Sequence, residues 1–170
     1  MQFSRLALRF AWFAVACGLV FTAEHCATSH SAEPVLAAAL GPNDPWTTAD
    51  VVEPADLARE IAEKRSLSPK VLYVGFRTLF AGGHIAGAAF HGTASTEAGM
   101  ADIKKWADTL PRSTNLVIYC GCCPFDKCPN VRPAFVRLHE MGFMHVRVLA
   151  LPENFNADWF EKGFPTEKGM

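Results

Sequence analysis

A short apolar run, a cysteine-rich loop and a helix-like stretch follow one another in the second half of the chain, and this order constrains the fold most. Residues Asn115–Tyr119 are apolar over a length that predicts a buried strand. After the loop, apolar residues recur near the helical period from 131 to 141, which predicts a helix that stops at Gly142. A buried strand followed by a covering helix is the repeating unit of parallel α/β sheets.

The same alternation extends along the chain from about residue 51. Further strands are predicted at 51–52, 71–74, 88–90 and 146–149, further helices from Pro54 and over 100–110, and a glycine-rich loop around His84 and Ile85. We therefore predict an α/β fold with an open, mostly parallel sheet flanked by helices on both faces. Ligands of such sheets gather at the carboxyl ends of the strands, where the cysteine loop lies.

Four of the six cysteines fall within this one loop, at Cys120, Cys122, Cys123 and Cys128. At a helix start, unpaired backbone N–H groups and the positive end of the helix dipole favour a thiolate over a thiol. Arg132 is a cation in the first helical turn, where the dipole disfavours it, so we expect it to serve an anion, with a surface salt bridge as an about equally simple alternative. The loop is the predicted functional site.

Composition and motifs argue against a nucleic acid as partner and against an organic cofactor. Half of the 170 residues are hydrophobic, and the net charge is -1 with no basic tract. A polyanion-binding protein would carry a clustered excess of Lys and Arg, so we do not expect a nucleic acid as partner. The sequence carries no motif for an organic cofactor, and none is expected.

The first 32 residues differ from the rest. Arg5 and Arg9 precede a charge-free apolar run that includes Cys17, and small and polar residues follow it to Ala32. This order predicts a signal segment at 1–32 and export to the periplasm, with cleavage removing Cys17 and Cys26. Without cleavage the same segment would anchor the protein to a membrane, its single predicted membrane contact. An Ala- and Pro-rich tether is predicted at 33–50, before one domain at 51–170.

Several segments of that domain resemble the rhodanese-like domain family. The resemblance runs from about residue 51 to 169 and depends on the order and spacing of its pieces. These pieces are His84-Ile85-x-Gly87-Ala88, the strand end Tyr119-Cys120, the helix end Gly142-Phe143, Trp159, and Gly163-Phe164-Pro165. The loop after Cys120 is longer than is usual in the family, and Gly75 stands where relatives tend to have an Asp, while Arg77 is kept.

The resemblance implies a sulfurtransferase-type protein. In this family the cysteine that ends the central strand accepts a sulfur atom as a persulfide and passes it to a nucleophile. That residue corresponds to Cys120, and the partner would be a small-molecule sulfur donor or a protein thiol. Arg132 and the helix start would stabilise the thiolate or an incoming oxyanion.

The residues themselves leave other chemistry open. Cys120 and a neighbouring thiol could form a redox-active disulfide, for which Cys122, Cys123 and Cys128 are candidates. All four thiols together could bind a soft metal as zinc, copper(I) or an iron–sulfur cluster, although their spacing matches no common finger or ferredoxin pattern. A disulfide that merely closes the loop is the structural alternative.

Overall fold

The computed structural model of the protein describes residues 41–63 and 68–170. Its strands are β1 (Val51–Val52), β2 (Lys70–Tyr73), β3 (His84–Ile85), β4 (Ala89–Phe90), β5 (Asn115–Tyr119), β6 (His145–Leu149) and β7 (Thr166–Glu167). Its α-helices are α1 (Pro54–Ala62), α2 (Arg77–Gly82), α3 (Glu97–Ala107) and α4 (Val131–Glu140). The predicted alternation of strands and helices is confirmed.

Five strands form the main sheet in the order β1-β6-β5-β2-β4, and every neighbouring pair in it is parallel. Strand β5 lies at the centre, as the apolar run predicted. Strands β3 and β7 form a separate antiparallel pair, where the sequence predicted a loop around His84. Because parallel strands end at one edge, the residues after β2 and β5 meet there.

Side chains of β5 alternate between two cores, one on each face of the sheet. Leu116 and Ile118 pack with the buried faces of α3 and α4. Val117 and Tyr119 pack on the other face, with Leu57 of α1 and other buried residues. Each fully buried large apolar side chain stabilises the fold by about 1.5–3 kcal/mol. The predicted layers of helices on both faces are therefore present, and Cys120 follows the side of Leu116 and Ile118.

The ends of two helices follow the predicted signals. Pro54 occupies the first turn of α1, where a missing backbone N–H costs no hydrogen bond. After α4 the chain turns at Gly142, whose φ of 87° lies in the left-handed region that favours glycine. Both predicted boundaries hold to within two residues.

Part of the predicted tether packs on the domain. Trp46 is buried at 5% exposure, and its ring lies 5.4 Å from Phe125 and 5.5 Å from Phe135. Asp44 also forms an ion pair with Arg132. Residues 41–50 are therefore a covering segment of the domain rather than a free linker, because a buried tryptophan gains more from contact with the core than from water.

The predicted signal segment at 1–32, with Cys17 and Cys26, and the predicted tether at 33–40 lie outside the described residues. Among the residues that are described, no helix has both the length and the apolar character that a membrane span needs.

Candidate functional site

The cysteine loop leaves the central strand at the carboxyl edge of the sheet. Cys120 directly follows β5, and Gly121 then turns the chain with a φ of 73°. A Cβ at Gly121 would lie 2.7 Å from Cβ of Phe155, so a side chain has no room there. Phe125, in a 3₁₀ turn at Phe125–Lys127, is buried in the core. Cys128 follows this turn and lies just before α4.

The loop brings the predicted thiols together. The sulfurs of Cys120, Cys122 and Cys128 all lie within 4.8 Å of one another. Sγ of Cys122 is 3.1 Å from Sγ of Cys120 and 3.5 Å from Sγ of Cys123. All four loop cysteines are free thiols. The proximity suits thiol exchange, and it also meets the first requirement of a soft-metal site, which is several sulfurs around one point.

Cys128 has the environment that best stabilises a negative charge. It accepts a hydrogen bond from Cys120 and others from the backbone N–H groups of Asn130 and Val131 at the start of α4. These bonds outweigh the effect of burial and lower the pKa of Cys128 to about 6. The charge of the reduced site therefore lies on Cys128.

Cys120 and Cys123 are in the opposite situation. The hydrogen bond with Cys128 and burial raise the pKa of Cys120 well above its ordinary value. Burial is also the largest cause that raises the pKa of Cys123, to about 12. We predicted that the helix start would stabilise a thiolate on Cys120, and the structure differs in placing that charge on Cys128. The physical reason is that the extended loop puts Cys128, not Cys120, next to the N–H groups of α4.

The side chain of Asn130 also contacts the sulfur of Cys120. This side chain is fully buried, and Nδ2 donates to Sγ of Cys120 at 3.4 Å. Its Oδ1 accepts a hydrogen bond from the backbone N–H of Ser95 at 3.1 Å. Sequence analysis did not single out this residue, although a polar side chain directly before a helix is a recognisable signal.

Gly75 leaves the space that the sulfur occupies. A Cβ at this position would lie 2.7 Å from Sγ of Cys120 and 2.5 Å from Oη of Tyr73. Real Cβ atoms do not approach other atoms so closely, so residue 75 has to be glycine for Cys120 to sit as it does. The backbone is held in place there by Thr93, whose hydroxyl donates to the carbonyl of Gly75 at 2.9 Å.

A cavity of about 380 Å³ opens beside the cysteines. Cys120 and Cys122 lie in its wall, whereas Cys123 and Cys128 are not among its lining residues. Other wall residues include Tyr73, Leu79, Phe155, Phe160 and Lys168. The wall also includes the polar side chains of Thr78, Asn154 and Asn156. It is mostly apolar, and its two thiols, phenol, cation, hydroxyl and amides are the groups that can act on a small molecule.

The hydroxyl of Tyr73 faces this site with no acceptor for its proton. Its oxygen is buried and forms no hydrogen bond of ordinary geometry among the described residues, although the backbone N–H of Phe76 lies near enough to act on its pKa. Burial and the negative charge that the Cys120 thiol would carry raise the pKa of Tyr73, which keeps the hydroxyl protonated and able to donate. A buried donor without an acceptor costs free energy, so its presence in a cavity wall points to a ligand. The last residue of an apolar strand gives no sequence signal for such a role.

Arg132 is not directed at the sulfurs. Its Nε donates to Oδ1 of Asp44 at 2.6 Å, and its Nη1 donates to the carbonyl of Cys128 at 3.2 Å. The guanidinium also lies 5.3 Å from the ring centre of Trp46. In the described part of the chain, Arg132 thus pairs with a carboxylate and the loop backbone, and its role toward an anion at Cys120 stays a prediction.

Comparisons with known proteins show a fold. The sequence matches no protein-family model and no curated protein. Among solved structures, the rhodanese-like domain of an Anabaena sp. protein is 22% identical, with a TM-score of 0.50 over 70% of this chain and 79% of that one. A Bacillus halodurans protein is 18% identical, with a TM-score of 0.54 over 69% of this chain and 75% of that one.

A thiosulfate sulfurtransferase from Pseudomonas aeruginosa is also similar, with 23% identity and a TM-score of 0.51. The match covers 71% of this chain and 19% of that chain, so it spans a small part of the larger enzyme. At such identities a structural likeness establishes the fold and leaves the activity to be argued from the site. Together with the parallel sheet and the helices on both faces, these likenesses show that the chain has the rhodanese-like fold.

Proposed function

We propose that this protein is a sulfurtransferase-like protein in which Cys120 accepts a sulfane sulfur as a persulfide and passes it to a thiol or to cyanide. The observation that carries the proposal is the position of Cys120. It is the cysteine that follows the central strand, and its side chain lies in the wall of the cavity beside the sheet edge. A thiosulfate sulfurtransferase with the same fold supports this class of chemistry.

The first step is sulfur transfer to Cys120. Cys120 gives its proton to the neighbouring Cys128 thiolate, with which it is hydrogen-bonded. The Cys120 thiolate then attacks the outer sulfur of a donor in the cavity. With thiosulfate, a new sulfur–sulfur bond forms on Cys120 while the bond to the sulfite group breaks and sulfite leaves with the electron pair. An acceptor thiolate or cyanide next takes the outer sulfur and leaves the Cys120 thiolate.

Tyr73 and Lys168 are two residues of the cavity wall that suit an anionic donor. The Tyr73 hydroxyl is protonated and without an acceptor in the described structure, so it can donate to a developing negative charge. Lys168 adds a cation to the same wall. Arg132 acts as a positioning residue in this proposal, because it holds the carbonyl of Cys128 and the covering segment through Asp44.

The partner we propose is a small-molecule sulfur donor or a protein thiol. Leu79 and Phe160 lie in the cavity wall and are also exposed large apolar side chains. An apolar rim around two thiols favours a thiol carried on an apolar molecule or peptide over a strongly hydrated one.

The site of action that we propose is the periplasm, because of the charge and hydropathy pattern of residues 1–32. Cell fractionation of the full chain tests this.

A second candidate is a thiol–disulfide or soft-metal module without sulfur transfer. The favouring observation is that Cys120, Cys122 and Cys128 place three sulfurs within 4.8 Å of one another. Cys123 would be the fourth thiol, and zinc, copper(I) or an iron–sulfur cluster would suit such donors. In that case Cys120 would have no privileged role among the thiols.

The test compares two single-atom changes in the same loop. Cys120→Ser should abolish transfer from thiosulfate or a small-molecule persulfide to cyanide, because a protonated hydroxyl cannot carry a transferable sulfur. Cys123→Ser is the matched control, since Cys123 is outside the cavity wall, and it should keep the transfer activity. Equal activity of Cys120→Ser and the unchanged protein would refute the proposed function. A metal that the unchanged protein retains, and that is lost progressively as loop cysteines are replaced by serine, would favour the second candidate.

A further inference from the structure

The loop thiols are arranged in two layers relative to the cavity. Cys120 and Cys122 lie in the cavity wall, whereas Cys128 is not one of its lining residues. Cys120 and Cys128 are almost equally buried, at 2% and 3% exposure, so the cavity and not the exposure distinguishes them. A donor molecule in the cavity can therefore reach Cys120 but not Cys128. A sulfur atom added to Cys120 would extend into the cavity, while Cys128 would face the Cys120 sulfur from the protein interior.

Cys128 is held as a nucleophile that no substrate can reach. The backbone N–H groups of Asn130 and Val131, at the first turn of α4, point at its sulfur. Its sulfur is hydrogen-bonded with the sulfur of Cys120 and lies within 4.8 Å of it. Cys128 is therefore next to the atom that it would attack. The mechanism proposed above uses Cys128 only to receive a proton, and it does not require a sulfur so close to Cys120.

The other two thiols are poorer partners for Cys120. Cys122 is 3.1 Å away, but it lies in the cavity wall, on the side to which the added sulfur extends. A disulfide between residues two apart also imposes strain. Its geometry requires a separation of the Cα atoms and a direction of the Cα–Cβ bonds that a single intervening residue rarely allows. Cys123 contacts Cys122 at 3.5 Å rather than Cys120. Cys128 comes from the far end of the loop and has neither restriction.

We propose that Cys128 is a resolving thiol that releases the sulfur of the Cys120 persulfide as hydrosulfide. This inference rests on the proposed sulfur loading of Cys120. The thiolate released from the donor, or water, takes the proton that Cys128 received during loading. The Cys128 thiolate then attacks Sγ of Cys120 and forms a Cys120–Cys128 disulfide. The bond between Sγ and the outer sulfur breaks, and the outer sulfur leaves with the electron pair as hydrosulfide. The two cysteines are oxidised and the sulfane sulfur is reduced, so no other oxidant or reductant is needed for the step.

The consequence is a second activity for the same site. With an acceptor in the cavity, the protein transfers sulfur; without one, it reduces the bound sulfur to hydrosulfide and stops as a disulfide. An external dithiol has to reduce the Cys120–Cys128 disulfide before the next cycle. The class of partner is therefore a dithiol reductant that reaches the disulfide through the cavity.

The sequence offers a direct way to detect this disulfide. Trypsin cleaves after Arg112 and Lys127, so Cys120, Cys122 and Cys123 fall in the peptide 113–127. Cys128 falls in the peptide 128–137, because the bond between Arg132 and Pro133 resists cleavage. A Cys120–Cys128 disulfide links the two peptides, whereas any disulfide among the first three thiols stays within one of them.

The experiment uses the full chain, loaded without oxygen by one equivalent of a small-molecule persulfide and given no acceptor. After the free thiols are blocked, the unchanged protein should show linked peptides, with the link assigned to Cys120 by fragmentation, and one hydrosulfide released per link. Cys128→Ser should retain the added sulfur on 113–127 and lose hydrosulfide release. Cys123→Ser should behave as the unchanged protein, and protein handled without the donor should show no link.

Two outcomes would overturn the inference and separate it from the proposed function. A persulfide that persists on Cys120 of the unchanged protein, or hydrosulfide release with a disulfide confined to 113–127, would exclude Cys128 as the resolving thiol while leaving sulfur loading intact. Absence of added sulfur from every variant, with no hydrosulfide, would contradict the proposed function itself. The result on the unchanged protein decides between these outcomes even where a variant does not fold.

Discussion

At the scale of single residues, Cys120 and Cys128 have different roles, since Cys120 lines the cavity and Cys128 carries the negative charge. Cys120 faces the cavity and holds its proton, because its hydrogen bond with Cys128 and its burial raise its pKa. Cys128 is buried and charged, because Cys120 and the N–H groups at the start of α4 donate to it. The site thus keeps a thiolate ready without exposing it to oxidants in solution.

The charge on Cys128 should be visible in a pH titration. We expect the ultraviolet absorbance of one thiolate per chain to appear with an apparent pKa of about 6. Cys128→Ser should remove this transition, and Cys123→Ser should retain it. A first thiolate that appears only near the pKa of free cysteine, about 8.5, would contradict the assignment.

The lowered pKa of Cys128 also predicts how the free energy of unfolding changes with pH. The pKa of Cys128 is lower in the folded protein than in the unfolded chain, so the unfolded state binds more protons between the two values. This contribution is fully present above the unfolded value and is lost as the pH falls through about 6. Denaturant unfolding should therefore show a free energy that rises from about pH 6 towards the unfolded pKa, and Cys128→Ser should flatten this rise.

Tyr73→Phe should separate activity from stability. The change removes a buried hydroxyl whose proton has no acceptor among the described residues, so the free energy of unfolding should stay equal or rise. The efficiency of sulfur transfer from an anionic donor should fall about tenfold or more, since a hydrogen bond to a charged group contributes about 1.5–3 kcal/mol.

Tyr119→Phe is the matched control for this prediction. The Tyr119 oxygen accepts a hydrogen bond from the backbone N–H of Ile85 at 3.0 Å, and Tyr119 is not a cavity-lining residue. Its loss should lower stability by about 1–3 kcal/mol and leave transfer unchanged. If Tyr73→Phe instead lost stability and kept full transfer, the hydroxyl would have no role in the site.

Sequence could predict the cysteines of the site but not Tyr73 or its arrangement. The thiols lie next to one another along the chain, between a readable strand and a readable helix. Tyr73 reaches the site because β2 pairs with β5 and places Tyr73 opposite Tyr119. Such a register depends on long-range packing, to which an apolar strand gives no local clue.

At the scale of elements, α4 carries the end of the loop and Arg132 fastens it. Arg132 pairs with the almost fully buried side chain of Asp44 and donates to the carbonyl of Cys128. Removal of the guanidinium leaves the carboxylate without this partner. An arginine that the helix dipole disfavours is thus explained by the covering segment, which sequence analysis had interpreted as a tether.

Arg132→Ala should therefore affect stability more than chemistry. We expect a loss of about 1–3 kcal/mol in the free energy of unfolding, from the buried carboxylate left unpaired. Arg137→Ala on the same helix removes an exposed pair with Glu140 and should cost at most about 1 kcal/mol. Under conditions where both variants are folded, each should still load sulfur. Loss of loading in folded Arg132→Ala would assign the arginine to the anion instead.

Elements with clear periodicity were predicted well, and so were the short strands β1 and β4, whereas the equally short β3 and β7 were not. Strand β5 and helix α4 follow from an apolar run and a helical period in their own residues. Strands β3 and β7 have two residues each and pair across the length of the domain, so neither has a periodic pattern of its own. Their pairing follows from the packing of the chain's last residues.

At the scale of the whole molecule, Cys120 lies at the carboxyl end of the central strand of a rhodanese-like fold, and the loop places Cys122 and Cys128 around it. The covering segment at 41–50 packs on the loop and on α4 through Trp46 and Asp44. Fold and site together support a protein that holds sulfur on Cys120 and keeps a buried thiolate beside it.

Sulfur loading of Cys120 is the central claim, and mass spectrometry of the Cys128→Ser full chain tests it most directly. In this variant the main cause of the raised Cys120 pKa is gone, so Cys120 remains able to react. After incubation with a small-molecule persulfide, we expect the peptide 113–127 to gain one sulfur, located on Cys120, and the same peptide to gain none when Cys120→Ser is added. No gain, or a sulfur carried by Cys122 or Cys123 while Cys120 stays free, would contradict the account.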